Sequence, residues 1–151
     1  SVISQEGHQT SVNLNEVIED IKKLIMVPNH IDMVVVNSLP TIVANRARVQ
    51  QLFQNLIINA IRYIDKEQGH IEIGVKELTS HYQFYVKDNG IGIAPEYHEK
   101  IFKIFQSLQK QKESTGIGLS IVKKIVNMYQ GKIWLDSIVG EGTTFYFTIK
   151  K

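Results

Sequence analysis

Cysteine is absent from this 151-residue chain. That excludes disulfides, thiol catalysis and thiolate-held metal, and it fits a reducing cytosol. Charge of one sign is also scarce: the formal net charge is +2, too small for a nucleic-acid footprint, so no nucleic-acid partner is expected. No apolar run approaches the roughly 18 residues that a membrane helix needs, and no signal peptide is visible, so no membrane contact by this domain is expected. The chain starts at Ser1 without Met and reads as a piece excised from a longer protein. It contains no internal repeat and no low-complexity tract. What is present is ordinary globular composition, 43% apolar and 21% charged, in a length that suits one domain with a real core.

Residues 1–9 are polar and aperiodic and read as a linker or the tail of a missing neighbour, leaving 10–151 as the domain. Asn13 or Asn15 caps a helix whose Leu14, Val17, Ile18, Ile21, Leu24 and Ile25 recur at helical spacing. Pro28-Asn29 ends it. Strands follow at Ile31–Val36 and Thr41–Val43. A longer helix, about Arg46 to Ile64, buries Val49, Leu52, Phe53, Leu56, Ile57, Ala60 and Ile64. The alternating run His70–Leu78 and its return, Tyr82–Val86, make a hairpin. Ala94-Pro95-Glu96 opens a short helix with Ile101, Phe102 and Phe105. A helix after Gly118 carries Leu119, Val122, Ile125, Val126 and Tyr129, and Gly131 stops it. Ile133–Leu135 and Thr143–Ile149 are the closing strands, joined by a turn at Gly140-Glu141-Gly142.

Four places carry chemistry. Asp88 stands where a strand ends and a loop begins, followed by Gly90 and Gly92. A carboxylate accepts hydrogen bonds and cannot pair with another acceptor, so it suits the amine of adenine and not the oxygen of guanine. The glycines would let a flat base approach. The same residues also fit an ordinary Asp-Asn-Gly turn. On the longer helix Asn55, Asn59 and Arg62 form a polar stripe. Asn is a poor helix former, so a merely wet face would have little reason to choose it. Its neutral oxygen suits Mg²⁺, and Arg62 suits phosphate. The residues Gln106–Thr115 have almost no apolar content and read as a lid over a nucleotide or as a solvated loop. Gly116-Ile117-Gly118 precedes a helix, where free N–H groups and the dipole favour anions. It is neither a Walker loop nor a Rossmann fingerprint.

In this order the motifs resemble those of the ATP-binding catalytic domain of sensor histidine kinases, a branch of the superfamily of gyrase, MutL and chaperone ATPases. Asn55-Leu-Ile-Ile-Asn59-Ala-Ile-Arg62-Tyr63 is similar to the N box, and Asp88-Asn-Gly90-Ile-Gly92-Ile93 to the first glycine box. Ile101-Phe102-Lys-Ile-Phe105-Gln resembles the F box, Thr115-Gly116-Ile117-Gly118-Leu119 the second glycine box, and Gly140-Glu-Gly142-Thr-Thr144-Phe the closing hairpin. The Phe-Gln-Ser-Leu run and the Ile-Trp strand are closest to the phytochrome-like branch. The likeness spans about Val12 to Ile149.

The resemblance implies an α/β (α+β) two-layer sandwich, with a mixed, mostly antiparallel sheet and about three long helices on one face. It implies Mg²⁺ on Asn59, support from Asn55, phosphate on Arg62 and Tyr63 against the nucleotide. Asp88 would bind adenine, and Gly90, Gly92, Ile93 and Thr144 would contact the nucleotide. Gly116, Gly118 and nearby amides would bind phosphate, and Phe105, Thr115, Ile117 and Leu119 would contact the nucleotide. Asn59, Asn55 and Arg62 are the catalytic candidates. Two departures stand out: Ser114 replaces a frequent Gly, and Ser107 replaces a frequent Arg, leaving Lys110 or Lys112 for phosphate.

ATPase relatives carry a Glu where this chain has Asn55, and a neutral amide cannot act as general base toward water. That argues for holding ATP until another acceptor arrives. None of His8, His30, His70, His81 and His98 sits in a His-Glu-[Leu/Ile]-Arg-type helix, and all five read as surface histidines. The implied partners are therefore the parent's own dimerisation and phosphoacceptor domain, then a response regulator, with the fragment alone monomeric and cytoplasmic. A degenerate nucleotide-binding regulatory module and an anti-sigma-type serine kinase are the alternatives.

Overall fold

A computed structural model describes residues 8–103 and 116–151, with the backbone alone at Gly116 and Ile117. The linker expected over residues 1–9 lies mostly outside the described residues. Strand β1, Thr10–Asn13, was not anticipated. It carries one buried apolar residue, Val12, too little to show a period. It pairs antiparallel with β3, Thr41–Ala44, as a small ribbon apart from the main sheet.

Helix α1, Leu14–Ile25, starts where Asn13 accepts the Asn15 N–H through its side chain at 2.9 Å. That satisfies one of the donors a helix start leaves open. It ends at Met26, whose φ of 52° turns the chain left-handed before Pro28 is reached. Leu14, Val17, Ile18 and Ile21 are buried as their spacing requires. Leu24, expected with them, is 62% exposed: it lies in the last turn, beside the chain reversal. Helix α2, Arg46–Tyr63, is capped by Asn45, which accepts the Arg48 N–H at 3.1 Å.

The main sheet has the order β2-β4-β5-β7-β6. Here β2 is Ile31–Val35, β4 Gly69–Glu77, β5 His81–Asp88, β6 Ile133–Ile138 and β7 Gly142–Lys150. The β2–β4 pair is parallel and the other pairs are antiparallel, so the sheet is mixed and mostly antiparallel, as expected. Inner positions alternate along β5 and β7: Phe84, Val86 and Asp88 on one, Thr143, Phe145, Phe147 and Ile149 on the other. Phe53 of α2 meets Phe84 and Phe147 edge-on at 5.6 and 5.3 Å. Each such buried ring contributes about 1.5–3 kcal/mol of apolar burial. This cluster locks α2 onto the centre of the sheet and so fixes where its polar stripe emerges.

Helix α3, Gly116–Met128, packs beside α2, with Val122, Ile125 and Val126 buried. Its end differs from expectation. Gln130 takes the left-handed conformation (φ 58°), and Gly131 instead serves a close approach, since a Cβ there would lie 1.7 Å from the Thr148 carbonyl oxygen. The short helix expected after Ala94 is two single 3₁₀ turns, Pro95–Tyr97 and Lys100–Phe102. No helix among the described residues is long and apolar enough to cross a membrane.

Candidate functional site

Strand β5 delivers Asp88 to the inner face of the sheet, where it is 7% exposed. Its register partner on β7 is Thr143. Asp88 Oδ1 accepts the Gly90 N–H at 2.8 Å and the Thr143 N–H at 3.3 Å. Both bonds described for this carboxylate converge on Oδ1, which leaves Oδ2 to take another donor. Burial pushes the Asp88 carboxyl up to about 6, against the pull of the two N–H groups and the Lys66 charge. A buried acceptor of raised pKa at a strand end is the kind of group found in functional clefts.

The loop after Asp88 is held by contacts that exclude side chains. A Cβ on Gly90 would lie 2.4 Å from the Tyr63 carbonyl oxygen, and the Ile91 N–H donates to that oxygen at 3.0 Å. The end of α2 thus rests on the Asp88 loop. Gly92 has φ 76°, with the Ile138 carbonyl oxygen 2.3 Å from where a Cβ would stand. Gly142 has φ 137°, and its Cβ would lie 2.0 Å from the Asp88 carbonyl oxygen. Ile93 is buried and donates its N–H to Ser137 Oγ at 2.7 Å. Asn89 faces away: its amide accepts the His70 N–H at 2.8 Å and donates to the Gln68 carbonyl at 3.0 Å.

One turn back along α2 from Tyr63 lies Asn59, only 4% exposed, with the half-buried Asn55 a further turn away. Asn55 Nδ2 donates to the Gln51 carbonyl at 2.9 Å, which leaves the amide oxygen as its acceptor. Arg62 is exposed. The stripe is therefore graded rather than uniformly wet: a buried amide, a half-buried amide and a cation in solvent. Gly116 and Gly118 form the first turn of α3 rather than preceding it, and Leu119 is buried behind them. Phe105, Ser107, Lys110, Lys112, Ser114 and Thr115 lie outside the described residues.

Residues 44–151 match the family model of histidine kinase-, DNA gyrase B-, and HSP90-like ATPases. The chain belongs to this family. Cyanobacterial phytochrome A of Nostoc sp. is 50% identical over 113 residues, which are 74% of this chain and 15% of that protein. The adaptive-response sensory kinase SasA of Crocosphaera subtropica is 36% identical over 151 residues, covering 94% of this chain and 39% of that protein. The nucleotide-free catalytic domain of the histidine kinase ThkA superposes with a TM-score of 0.80 at 33% identity, over 95% of both chains. This chain thus spans a minor part of its curated relatives and nearly all of an isolated kinase catalytic domain. The phytochromes among these relatives agree with the branch that the Phe-Gln-Ser-Leu and Ile-Trp runs suggested.

For an ATPase-family domain the donor set bears on metal. Among the described residues no cluster of three His, Cys, Asp or Glu could hold an ion. A metal here would need its charge balanced by the nucleotide's phosphates, with a neutral oxygen such as that of Asn59 completing the set, which suits Mg²⁺.

One expected residue is misplaced. Thr144 pairs with Lys87 and Asp136 and lies on the opposite face of β7 from Asp88. Thr143 is the residue that shares the buried face with Asp88. The sequence held the signal: Phe145, Phe147 and Ile149 set the inward parity, and Thr143 shares it. Ser137 and Lys66 were also missed, and no motif around them marks either. His98, read as a surface histidine, is half-buried, with Nε2 2.8 Å from the Ile93 carbonyl oxygen.

Proposed function

We propose that this domain binds ATP with Mg²⁺ and donates the γ-phosphoryl group to a histidine on a separate dimerisation and phosphoacceptor domain of its parent. From there the phosphoryl group passes to a response regulator. The observation that carries the reading is the Asp88 carboxylate, buried, pinned through one oxygen and left with the other for the adenine amine. It is joined through Tyr63 to the helix bearing Asn55, Asn59 and Arg62. Names of relatives at 33% identity and above point the same way, since both SasA and ThkA are called kinases.

In this reading Asn59, with Asn55 behind it, holds Mg²⁺, which neutralises phosphate charge. Arg62 meets the phosphates from solvent, as do the amides of the first turn of α3, where the helix dipole favours anions. Phosphoryl transfer asks the protein mainly for positioning and charge stabilisation. The bond from the γ-phosphorus to the bridging oxygen breaks, a bond to the acceptor imidazole nitrogen forms, and ADP leaves. Asn55 cannot deprotonate water, so hydrolysis is slow and the nucleotide waits for the acceptor. ATP supply sets the proposed location, the cytoplasm.

Calorimetry with Mg-ATP and Mg-ADP, followed by phosphate labelling of an acceptor helix pair taken from the parent, tests this. Binding is expected for the domain alone, with acid-labile label on the acceptor and none on the domain. Asn59→Ala is expected to lower transfer by 100-fold or more, about 3 kcal/mol of lost transition-state stabilisation. Absence of nucleotide binding by the folded domain, or full transfer by Asn59→Ala, would sink the reading.

A further inference from the structure

We propose that Ser137 fixes the Thr143 hydroxyl as an obligate hydrogen-bond acceptor, and that this acceptor, beside Asp88, selects a 6-amino purine over a 6-oxo purine. The inference rests on the nucleotide reading above and names the residue that sets its base specificity.

A serine hydroxyl has one hydrogen and two lone pairs. Around Ser137 Oγ stand three partners. The Gly142 carbonyl oxygen, at 3.0 Å, can only accept, so Ser137 gives it the hydrogen. The Ile93 N–H, at 2.7 Å, can only donate, so it occupies one lone pair. Thr143 Oγ1, at 2.8 Å, is left with the second lone pair and must donate to it. Its hydrogen being spent, Thr143 Oγ1 has lone pairs alone to offer.

Thr143 is 5% exposed, and its backbone N–H is committed to Asp88 Oδ1. Facing positions on antiparallel strands bring side chains within about 5.5 Å of each other on one face of the sheet. The site therefore turns two acceptors the same way, a carboxylate and a hydroxyl whose rotor is locked. An exocyclic amine brings two N–H donors to such a pair. A 6-oxo group sets lone pair against lone pair. A hydroxyl free to rotate would accept from the first and donate to the second, and would not discriminate. Ser137 removes that freedom, so it acts as a positioning residue through Thr143 without itself meeting the base. Polar sites that match a substrate's hydrogen-bonding pattern discriminate far better than apolar ones.

The test compares Mg-ADP with Mg-IDP, which differ at the purine 6-position, by competitive titration on the folded domain. The wild-type chain is expected to prefer ADP. Ser137→Ala is expected to shrink the ADP:IDP preference about five- to tenfold, the size of one hydrogen bond, chiefly by tightening IDP. Thr143→Val is expected to shrink it similarly, and Thr143→Ser to keep it, since the serine hydroxyl meets Ser137 in the same way. A Ser137→Ala chain that weakens both nucleotides equally would show a merely structural role and overturn the proposal. Should Ser137→Ala not fold, an unchanged ratio in Thr143→Val overturns it equally well. Wild-type binding of neither nucleotide would instead overturn the nucleotide reading itself, and this inference with it.

Discussion

The two ends of the proposed nucleotide site are built on different principles. At the base end, backbone lies against backbone. Gly90, Gly92 and Gly142 sit where a Cβ would come within 2.0–2.4 Å of a carbonyl oxygen, and the Asp88 carboxylate is fixed by two N–H groups from the chain itself. At the proposed phosphate end the polar groups are side chains on α2, running from the buried Asn59 to the exposed Arg62. A flat, invariant base can be met by a rigid cradle formed before binding, which limits the ordering cost.

Substitutions at the hairpin glycines break that contrast most severely. Gly142→Ala forces a Cβ onto the Asp88 carbonyl oxygen in a conformation that L residues rarely adopt (φ 137°). A loss of about 3 kcal/mol or more in urea unfolding is expected, with loss of nucleotide binding. Gly140→Ala, in the same turn with φ 87° and nothing within 4 Å of the new Cβ, is expected to cost only about 1–2 kcal/mol. Equal losses at the two positions would mean that the close approach to Asp88 contributes nothing and that the base end is not a rigid cradle.

Asp88→Asn separates the cradle's fit from its chemistry. Two N–H donors can still reach the amide oxygen, so the loop should keep its shape. Loss of a charged acceptor is expected to weaken Mg-ADP about 10- to 100-fold in calorimetry. Stability should move the other way. The ionised carboxylate carries a desolvation cost in the fold, since burial holds its pKa near 6. Removing it is expected to raise the unfolding free energy at pH 8 by up to roughly 3 kcal/mol. A variant that loses both affinity and stability would mark Asp88 as a structural residue.

Much of this is legible in the amino-acid sequence. Helical periodicity gave α1, α2 and α3, and the cap at Asn13 is local chemistry that survives any tertiary context, whereas the cap at Asn45 was not anticipated. Glycine spacing marked the Asp88 loop because φ values above zero and close approaches leave few alternatives. What escaped was long-range. Strand β1 is four residues with one inward side chain, and it exists through its partner β3, 28 to 34 positions along the chain, in pairs from Asn13↔Thr41 to Thr10↔Ala44. Ser137 has no signal at all, since its importance comes from meeting Ile93 and Thr143 across three segments. Thr144 is an expected site residue, whereas strand parity places Thr143 on the face of Asp88.

The smallest expected effect is the sharpest check on the Asp88 assignment, because stability and binding should respond to pH with opposite signs. The unfolded carboxyl titrates near 3.8 and the folded one near 6. Between those values the folded chain holds a proton that the unfolded chain has lost. This contribution to stability is complete below about pH 4 and is lost as pH rises through about 6. Nucleotide binding calls for the ionised acceptor, so affinity should climb over the same window and level off above it. At pH 6, where the group is half protonated, binding should release about half a proton from Asp88. Calorimetry in two buffers of different ionisation heat reads that release. Subtracting the Asp88→Asn result removes the nucleotide's own phosphate titration. A difference of zero at pH 6, with both proteins binding, would place the adenine amine somewhere other than on Asp88.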